Sequence, residues 1–273
     1  MPHIKTPSGI EWFYDCEGEG EEILFLHGWG VDRRIWRQQT KFFSRNYRVL
    51  AVDLPGHGQS GWEKISFLHM ALDLVQILRA LDFQAVNIVG SSLGGLLALK
   101  LCGNDVSRIK RLILVGASPK FAKSEEYPYG VDVAHIRKLN GQLVTAYPSI
   151  VNIFFRSLFT REERESRRFR WLQKFRQTDK VPMKQALSEY LDIFEQEDLR
   201  PVLDEVKLPL QFIYGAEDYL CPKILQDLLQ QKFPQARFDF FAQCGHFPFL
   251  SKPHEFNTVV AEFLNKPSYT SEV

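Results

Sequence analysis

The stretch "NIVGSSLGGLLALKLCG", Asn87 to Gly103, decides how the rest of the chain is read. Apolar and small residues lead into Gly90, and Leu96, Leu97, Leu99 and Leu101 then follow at helix-compatible spacing. A buried strand therefore runs into an apolar helix through a sharp turn. Glycines at 90, 94 and 95 let the backbone take strained dihedrals there and let strand and helix approach closely. Ser92, at the centre of Gly90-Ser91-Ser92-Leu93-Gly94, is the side chain that such a strand-turn-helix would present as a nucleophile.

Working outward, the same alternation repeats. Strands are expected around Ile10 to Cys16, at "EILFLHG", at "YRVLAVD" and at "RLILVG", with a helical segment over Arg33 to Arg45 and another over Ser66 to Leu81. Regular alternation stops after Ala117. A mainly helix-like stretch without a convincing strand follows, and "PLQFIYG", a helix from Pro222, "RFDFF" and a final helix then resume the pattern. The order implies a largely parallel sheet covered on both faces. It divides the chain into a first core part over 1–118, a helical cap insertion over 119–200 and a second core part over 201–273. The tail "NKPSYTSEV" is expected to fray.

Composition narrows the classes of function. A chain of 273 residues, 45% hydrophobic, can bury a sizeable core, so disorder is excluded. A formal net charge of +1 offers no global attraction for nucleic acid. The start lacks the basic-then-apolar order of a signal peptide and no apolar run reaches membrane-spanning length, so a soluble cytoplasmic protein is expected. Cys16, Cys102, Cys221 and Cys244 form no C-x-x-C pair and no metal-like cluster; packing is their expected role, with no metal and no cofactor.

In an open parallel sheet, reactive groups collect beyond the carboxyl ends of the strands. His27-Gly28-Trp29-Gly30 follows "EILFL", the Ser92 turn follows "NIV", Gly215-Ala216-Glu217-Asp218 follows "PLQFIY", and Cys244-Gly245-His246 follows "RFDFF". A serine hydroxyl is a poor nucleophile until an imidazole takes its proton and a carboxylate fixes the imidazole's tautomer. Ser92, Asp218 and His246 supply these three groups. Asp218 is preferred over Glu217 from its Gly-x-x-Asp spacing, and Ser91 should point elsewhere on the turn. His27, His57 and Asp53 sit in glycine-bearing loops, where bracing is the expected role.

The order serine, acid, histidine, together with "FLHGWG", "VDLPGHGQS", "GSSLGG", "YGAEDYLCP" and "GHFPF", resembles the α/β-hydrolase superfamily from about residue 8 to residue 265. That resemblance implies the α/β-hydrolase fold, with the backbone N–H groups of Trp29 and Leu93 as an oxyanion hole. A serine at 92, where dehalogenases and epoxide hydrolases of this fold carry aspartate, argues against those two chemistries. A narrower resemblance rests on "LHGWGVDRRIW", "VDLPGHGQS", "VGASPKF" and "GHFPFLSKPHEF". These are similar to the carboxylesterases of biotin synthesis that remove the methyl ester from pimeloyl-acyl carrier protein. The chain departs from them in one respect: Ser91 stands where such enzymes carry tryptophan, which leaves the acyl-pocket shape open.

The cap adds a physical argument of its own. Phe154, Phe155 and Leu158 are candidates to line the acyl site together with Trp29, Ser92, Leu93 and His246. On a helix, Arg167, Arg170 and Lys174 would share one face and Trp171 and Phe175 another. A basic stripe suits an acidic acyl carrier protein as partner, whereas the ordinary alternative is a solvated face with Glu163 and Arg167 paired at i, i+4. The expected activity is hydrolysis of a carboxylic ester through an acyl-enzyme. Its rivals are a small-ester esterase or carbon-carbon bond hydrolase on the same three residues, and a ligand receptor that retains a slow triad.

Overall fold

Eight strands and twelve helices arise from this alternation in a computed structural model that describes residues 2–177 and 181–266. The strands are β1 (His3–Lys5), β2 (Glu11–Glu17), β3 (Glu21–Leu26), β4 (Tyr47–Val52), β5 (Val86–Ser91), β6 (Ile109–Val115), β7 (Leu210–Gly215) and β8 (Arg237–Phe241). The helices are α1 (Arg37–Phe43), α2 (Phe67–Ala80), α3 (Leu93–Cys102), α4 (Val133–Ala146), α5 (Ser149–Ser157), α6 (Arg161–Glu165), α7 (Arg167–Gln177), α8 (Lys184–Gln196), α9 (Arg200–Glu205), α10 (Lys223–Lys232), α11 (Pro248–Ser251) and α12 (Pro253–Leu264). The side chains of Lys174 and Phe175, and the tail beyond residue 266, lie outside the described residues.

The sheet runs in the order β1-β2-β4-β3-β5-β6-β7-β8. β1 and β2 pair antiparallel at one edge and every pairing from β4 to β8 is parallel, which gives the α/β-hydrolase fold and brings the carboxyl ends of β3, β5, β6, β7 and β8 to one side. β5 is buried at all six positions, as a central parallel strand covered on both faces must be. The helical segment expected over Arg33 to Arg45 begins as a 3-10 turn, Arg33–Trp36. The Asp32 carboxylate caps it by accepting the Arg34 N–H at 3.0 Å, and it leads directly into α1.

Between β6 and β7 the chain forms α4 to α9, and the extended pairings described there are the isolated bridges Ala122↔Val131 and Ser124↔Tyr127. These helices share the core of the sheet layers. Leu187 and Tyr190 of α8 join the buried cluster that contains β3 and α3 residues, while Phe155, Phe159, Phe169 and Leu172 join the cluster on the other face of the sheet. Each such side chain contributes roughly 1.5–3 kcal/mol by burial.

The basic cap segment differs from the expected single helix. Ser166 adopts an extended backbone that ends α6, its hydroxyl accepts the Phe169 N–H at 3.0 Å, and α7 starts afresh. Glu163 and Arg167 therefore do not occupy successive turns of one helix. The buried face of α7 is Phe169 and Leu172, with the Phe169 ring 4.8 Å from that of Phe159, whereas Trp171 is 44% exposed. Within α7 the side of Phe169 and Leu172 meets the core, while the side expected to hold Trp171 and Phe175 carries an exposed Trp171.

Gly94 and Gly141 separate two uses of glycine. A Cβ at Gly94, where α3 crosses β3, would lie 2.4 Å from the Leu26 carbonyl oxygen; one at Gly141 in α4 would meet nothing within 4 Å. Gly94→Ala should destabilise the protein by about 1–3 kcal/mol, because backbone rather than a flexible side chain must yield. Gly141→Ala should stabilise it by about 0.4–1 kcal/mol by restricting the unfolded chain. Urea unfolding of both variants checks the contrast.

Candidate active site

Ser92 lies immediately beyond β5 with φ 52° and ψ −113°, a left-handed conformation that costs a non-glycine residue of order 1–3 kcal/mol. Its N–H donates to the Val115 carbonyl at 2.9 Å and its carbonyl accepts the Leu96 N–H at 3.0 Å, so the strand hands over to α3 without a free residue between them. The turn leaves Ser92 6% exposed and lining a cavity of about 670 Å³. Ser91 is fully buried.

His246 lines the same cavity from the loop after β8. Its Nδ1 donates to Asp218 Oδ2 at 2.7 Å, and the other carboxylate oxygen of Asp218 accepts the N–H groups of Leu220 at 2.9 Å and Cys221 at 3.3 Å. Asp218 is 2% exposed, whereas Glu217 is exposed to solvent. Nε2 of His246 is therefore left as the free ring nitrogen. It is buried and has no hydrogen-bond partner among the described residues.

Gly116, which sequence reasoning passed over as the end of a strand, makes room for this ring. At φ 53°, a Cβ there would lie 2.9 Å from His246 Cε1 and Nδ1. The detectable signal was a glycine directly after the apolar run Leu112–Val115, a position at which a side chain would project over the carboxyl end of the sheet.

The loop after β3 passes beside Ser92: a Cβ on Gly28 would lie 3.4 Å from Ser92 Cβ. Two buried histidines hold this loop. His27 Nε2 accepts the Leu54 N–H at 2.9 Å, which leaves its Nδ1–H to donate to the Gly28 carbonyl at 2.8 Å. His57 Nε2 accepts the Gly30 N–H at 3.2 Å, and its Nδ1–H donates to the Pro55 carbonyl at 3.2 Å. Both rings must be neutral to accept, and burial lowers both pKa values, that of His57 to about 3. Asp53 braces the adjoining loop, accepting Arg33 Nη1–H at 2.7 Å and the Arg33 and Gln59 backbone N–H groups at 2.9 Å each. Burial raises the Asp53 pKa, although the Arg33 guanidinium opposes that shift.

Trp29 is fixed between these loops and the cap. Its indole N–H donates to the Leu187 carbonyl at 3.0 Å, and Phe154 packs edge-on against it with ring centroids 5.0 Å apart. Among the described residues no protein acceptor takes the backbone N–H of Trp29 or of Leu93. The cavity wall includes Trp29, Phe154, Leu158 and His246, but not Phe155 or the Leu93 side chain. Phe155 turns instead into the aromatic cluster with Phe159 and Phe247, at 5.0 and 5.7 Å, because adjacent residues of one helix face different layers. Leu93 is buried in the core beneath its own backbone. Phe121, Ile136, Leu139, Leu191, Phe194 and Phe247 belong to the apolar wall as well, while Lys123, His135 and Lys138 stand among the polar lining. Sequence reasoning missed these residues because they come from distant segments with ordinary apolar or polar patterns.

Arg167 and Arg170 are exposed on α7, and Arg170 Nη1 donates to the Glu165 carbonyl at 3.0 Å. Cys102, Cys221 and Cys244 are buried, and burial pushes all three thiols up, that of Cys102 to about 12, so none is a ready thiolate. Among the described residues no cluster of His, Cys, Asp and Glu could hold a metal ion, and no helix is long and apolar enough to cross a membrane.

The neutral histidines give stability a pH dependence of defined sign. His57 binds its proton near pH 6.5 when unfolded but near 3 when folded, so its contribution is complete above about 6.5 and is lost as pH falls toward about 3. His57→Gln should lower the unfolding free energy at about pH 8 by roughly 1–3 kcal/mol. The gap to the native protein should narrow with acidification, by up to about 1.4 kcal/mol per pH unit. Urea unfolding across that range measures both.

The model of the α/β hydrolase fold family matches residues 22–253. The pimeloyl-[acyl-carrier protein] methyl ester esterase of Nitrosomonas europaea is 30% identical over 242 residues, covering 89% of this chain and 95% of that one. The protein of the same name from Serratia marcescens is 32% identical over 256 residues, covering 92% and 97%. Among solved structures, an esterase from Exiguobacterium antarcticum superposes with a TM-score of 0.89 at 24% identity, covering 97% of this chain and 99% of that one. An enol-lactonase from Burkholderia xenovorans superposes with a TM-score of 0.86 at 22% identity over 97% and 100% of the chains, and at such identities both likenesses speak for the fold. The match over most of its length, and the same parallel sheet in its neighbours, make this chain a member of the α/β-hydrolase fold family.

Proposed function

We propose that the protein is a serine carboxylesterase whose substrate is the methyl ester of pimeloyl-acyl carrier protein. The observation that carries the chemistry is the buried 2.7 Å pair of Asp218 and His246 opening on the cavity that Ser92 lines. In this reading His246 Nε2 takes the Ser92 proton and Ser92 Oγ attacks the ester carbonyl. The Trp29 and Leu93 N–H groups receive the oxyanion; loss of one such donor typically costs roughly 3 kcal/mol. The imidazolium, steadied by Asp218, protonates the departing methanol, and water then hydrolyses the acyl-enzyme by the same route. No metal or organic cofactor enters.

The substrate class draws on other observations. A cavity of about 670 Å³ with a mainly apolar wall suits a medium acyl chain rather than a small ester alone. The named relatives, at 30% and 32% identity over nearly their whole length, act on a carrier-bound methyl ester by their names. Arg167 and Arg170, exposed on α7, offer a positive surface that an acidic carrier protein would meet; Lys174 follows in the sequence, its side chain outside the described residues. The 273-residue chain is then a core of 1–118 and 201–273 carrying a cap, 119–200, that both shapes the acyl site and docks the carrier.

A fluorophosphonate should label Ser92 stoichiometrically, and Ser92→Ala should fold yet lose nearly all esterase activity; label on Ser91 or on a cysteine would remove the assignment. Asp218→Asn should lower kcat by roughly 10⁴, the cost of the equivalent change in a serine protease, while Glu217→Gln costs little.

Docking is tested by salt. With exposed charges screened over about 8 Å at physiological ionic strength, kcat/KM for the carrier-bound methyl ester should fall as salt is added, while that for a short p-nitrophenyl ester stays nearly flat. Reversal of Arg167, Arg170 and Lys174 to Glu should abolish that difference without slowing the short ester. No loss on either substrate would leave the carrier without support.

A further inference from the structure

The loop that carries His246 is held from the cap side by backbone contacts that the chemistry above does not use. His246 N–H donates to the Leu158 carbonyl at 2.8 Å, and Gly245 N–H donates to Glu163 Oε2 at 3.1 Å. The approach is close enough that a Cβ on Gly245 would lie 2.3 Å from the Leu158 oxygen. From the other side Glu217 N–H donates to the Cys244 carbonyl at 3.0 Å, so residues 244–246 are clamped between the acid's loop and the cap.

Glu163 is itself locked. It closes a capping box as the third residue of α6: Thr160 N–H donates to the same Oε2 at 2.6 Å, and Glu163 N–H donates to Thr160 Oγ1 at 3.1 Å. A capping glutamate ordinarily serves its own helix. Here one oxygen serves the helix start and a backbone N–H 82 residues away, and the carboxylate also faces the buried Cys244 thiol beside that N–H. Every one of these contacts beyond the capping box falls on the histidine loop, which makes helix capping alone an incomplete account of the position.

We propose that Glu163 is a positioning residue for His246: through Gly245 N–H, and with the Leu158 carbonyl beside it, the cap segment Leu158–Glu163 holds the imidazole in line with Ser92. This rests on the reading of His246 as the general base. It also ties the substrate to the base, because the Leu158 side chain lines the acyl cavity while its carbonyl holds His246. Glu163 does not line that cavity; it borders a separate one of about 210 Å³ behind the histidine loop. Its loss should therefore act on turnover and not on binding.

The test uses the full-length protein and a short p-nitrophenyl ester, which avoids the carrier surface. Glu163→Ala should lower kcat on the order of 10- to 100-fold, as small misplacements of catalytic groups do, with KM within about twofold of native. The rate of fluorophosphonate labelling at Ser92 should fall by the same factor. Glu163→Gln, whose amide oxygen still accepts the Gly245 N–H, should recover kcat to within about threefold of native. If Glu163→Ala fails to fold, Glu163→Asp keeps the charge but withdraws the carboxylate by one bond, and should lose kcat at unchanged KM. A folded Ala or Asp variant with native kcat overturns the proposal, as does a loss that Gln does not restore or that appears in KM. Ser92→Ala in parallel separates the two readings. Activity retained there overturns the triad, whereas an inactive Ser92→Ala beside a fully active Glu163→Ala overturns the role of Glu163 alone.

Discussion

The left-handed turn at Ser92 is the constraint to which the rest of the architecture answers. A non-glycine residue at φ 52° persists only where its surroundings over-determine it, and here they do so from three sides. Val115 at the end of β6 takes the Ser92 N–H, α3 takes its carbonyl, and Gly94 lets α3 settle against the Leu26 carbonyl of β3. The strained residue is thus held by the two strands that flank β5, and the central position of β5 in the sheet is what makes both available.

Around that turn, positions are fixed mainly by backbone groups. The Gly28–Gly30 loop is tied through two neutral imidazoles, the Asp218 carboxylate through the N–H groups of Leu220 and Cys221, and the His246 loop through Leu158 and Glu163. Backbone donors and acceptors cannot rotate away as side chains do, so an arrangement built from them is held in place before substrate arrives. Burial makes the same arrangement conditional. His27 and His57 act as acceptors only while neutral, and the free energy that keeps them so is part of what folding supplies.

The helical segment between β6 and β7 belongs to this frame as well as to the cavity. Its α8 holds Trp29 through the Leu187 carbonyl and reaches Pro55 through the Tyr190 hydroxyl at 3.0 Å, while the Phe155, Phe159 and Phe169 side chains fill the opposite face of the sheet against Phe247. Removing or rigidly swinging the cap would therefore open both apolar clusters. At the rim of the cavity Ile153 and Tyr219 are half exposed or more.

The alternation of strands and helices, the turn at Ser92 and the order of serine, carboxylate and histidine at the ends of β5, β7 and β8 were legible in the chain because each is a local signal. A run of apolar residues closed by glycine is readable within about ten positions, and a parallel sheet then gathers such ends to one side whatever the loops contain. What only the tertiary structure decided was the direction of side chains that carry no periodic signature. Phe154 faces the cavity and Phe155 the core, Phe169 and Leu172 rather than Trp171 cover α7, and Gly116 gives way to an imidazole 130 residues further along. Glu163 shows the limit most plainly: its sequence context reads as an i, i+4 partner of Arg167, and that reading is local. The Gly245 N–H that it also holds becomes its neighbour only when the sheet brings the end of β8 beneath the cap, so no pattern along the chain could have announced it.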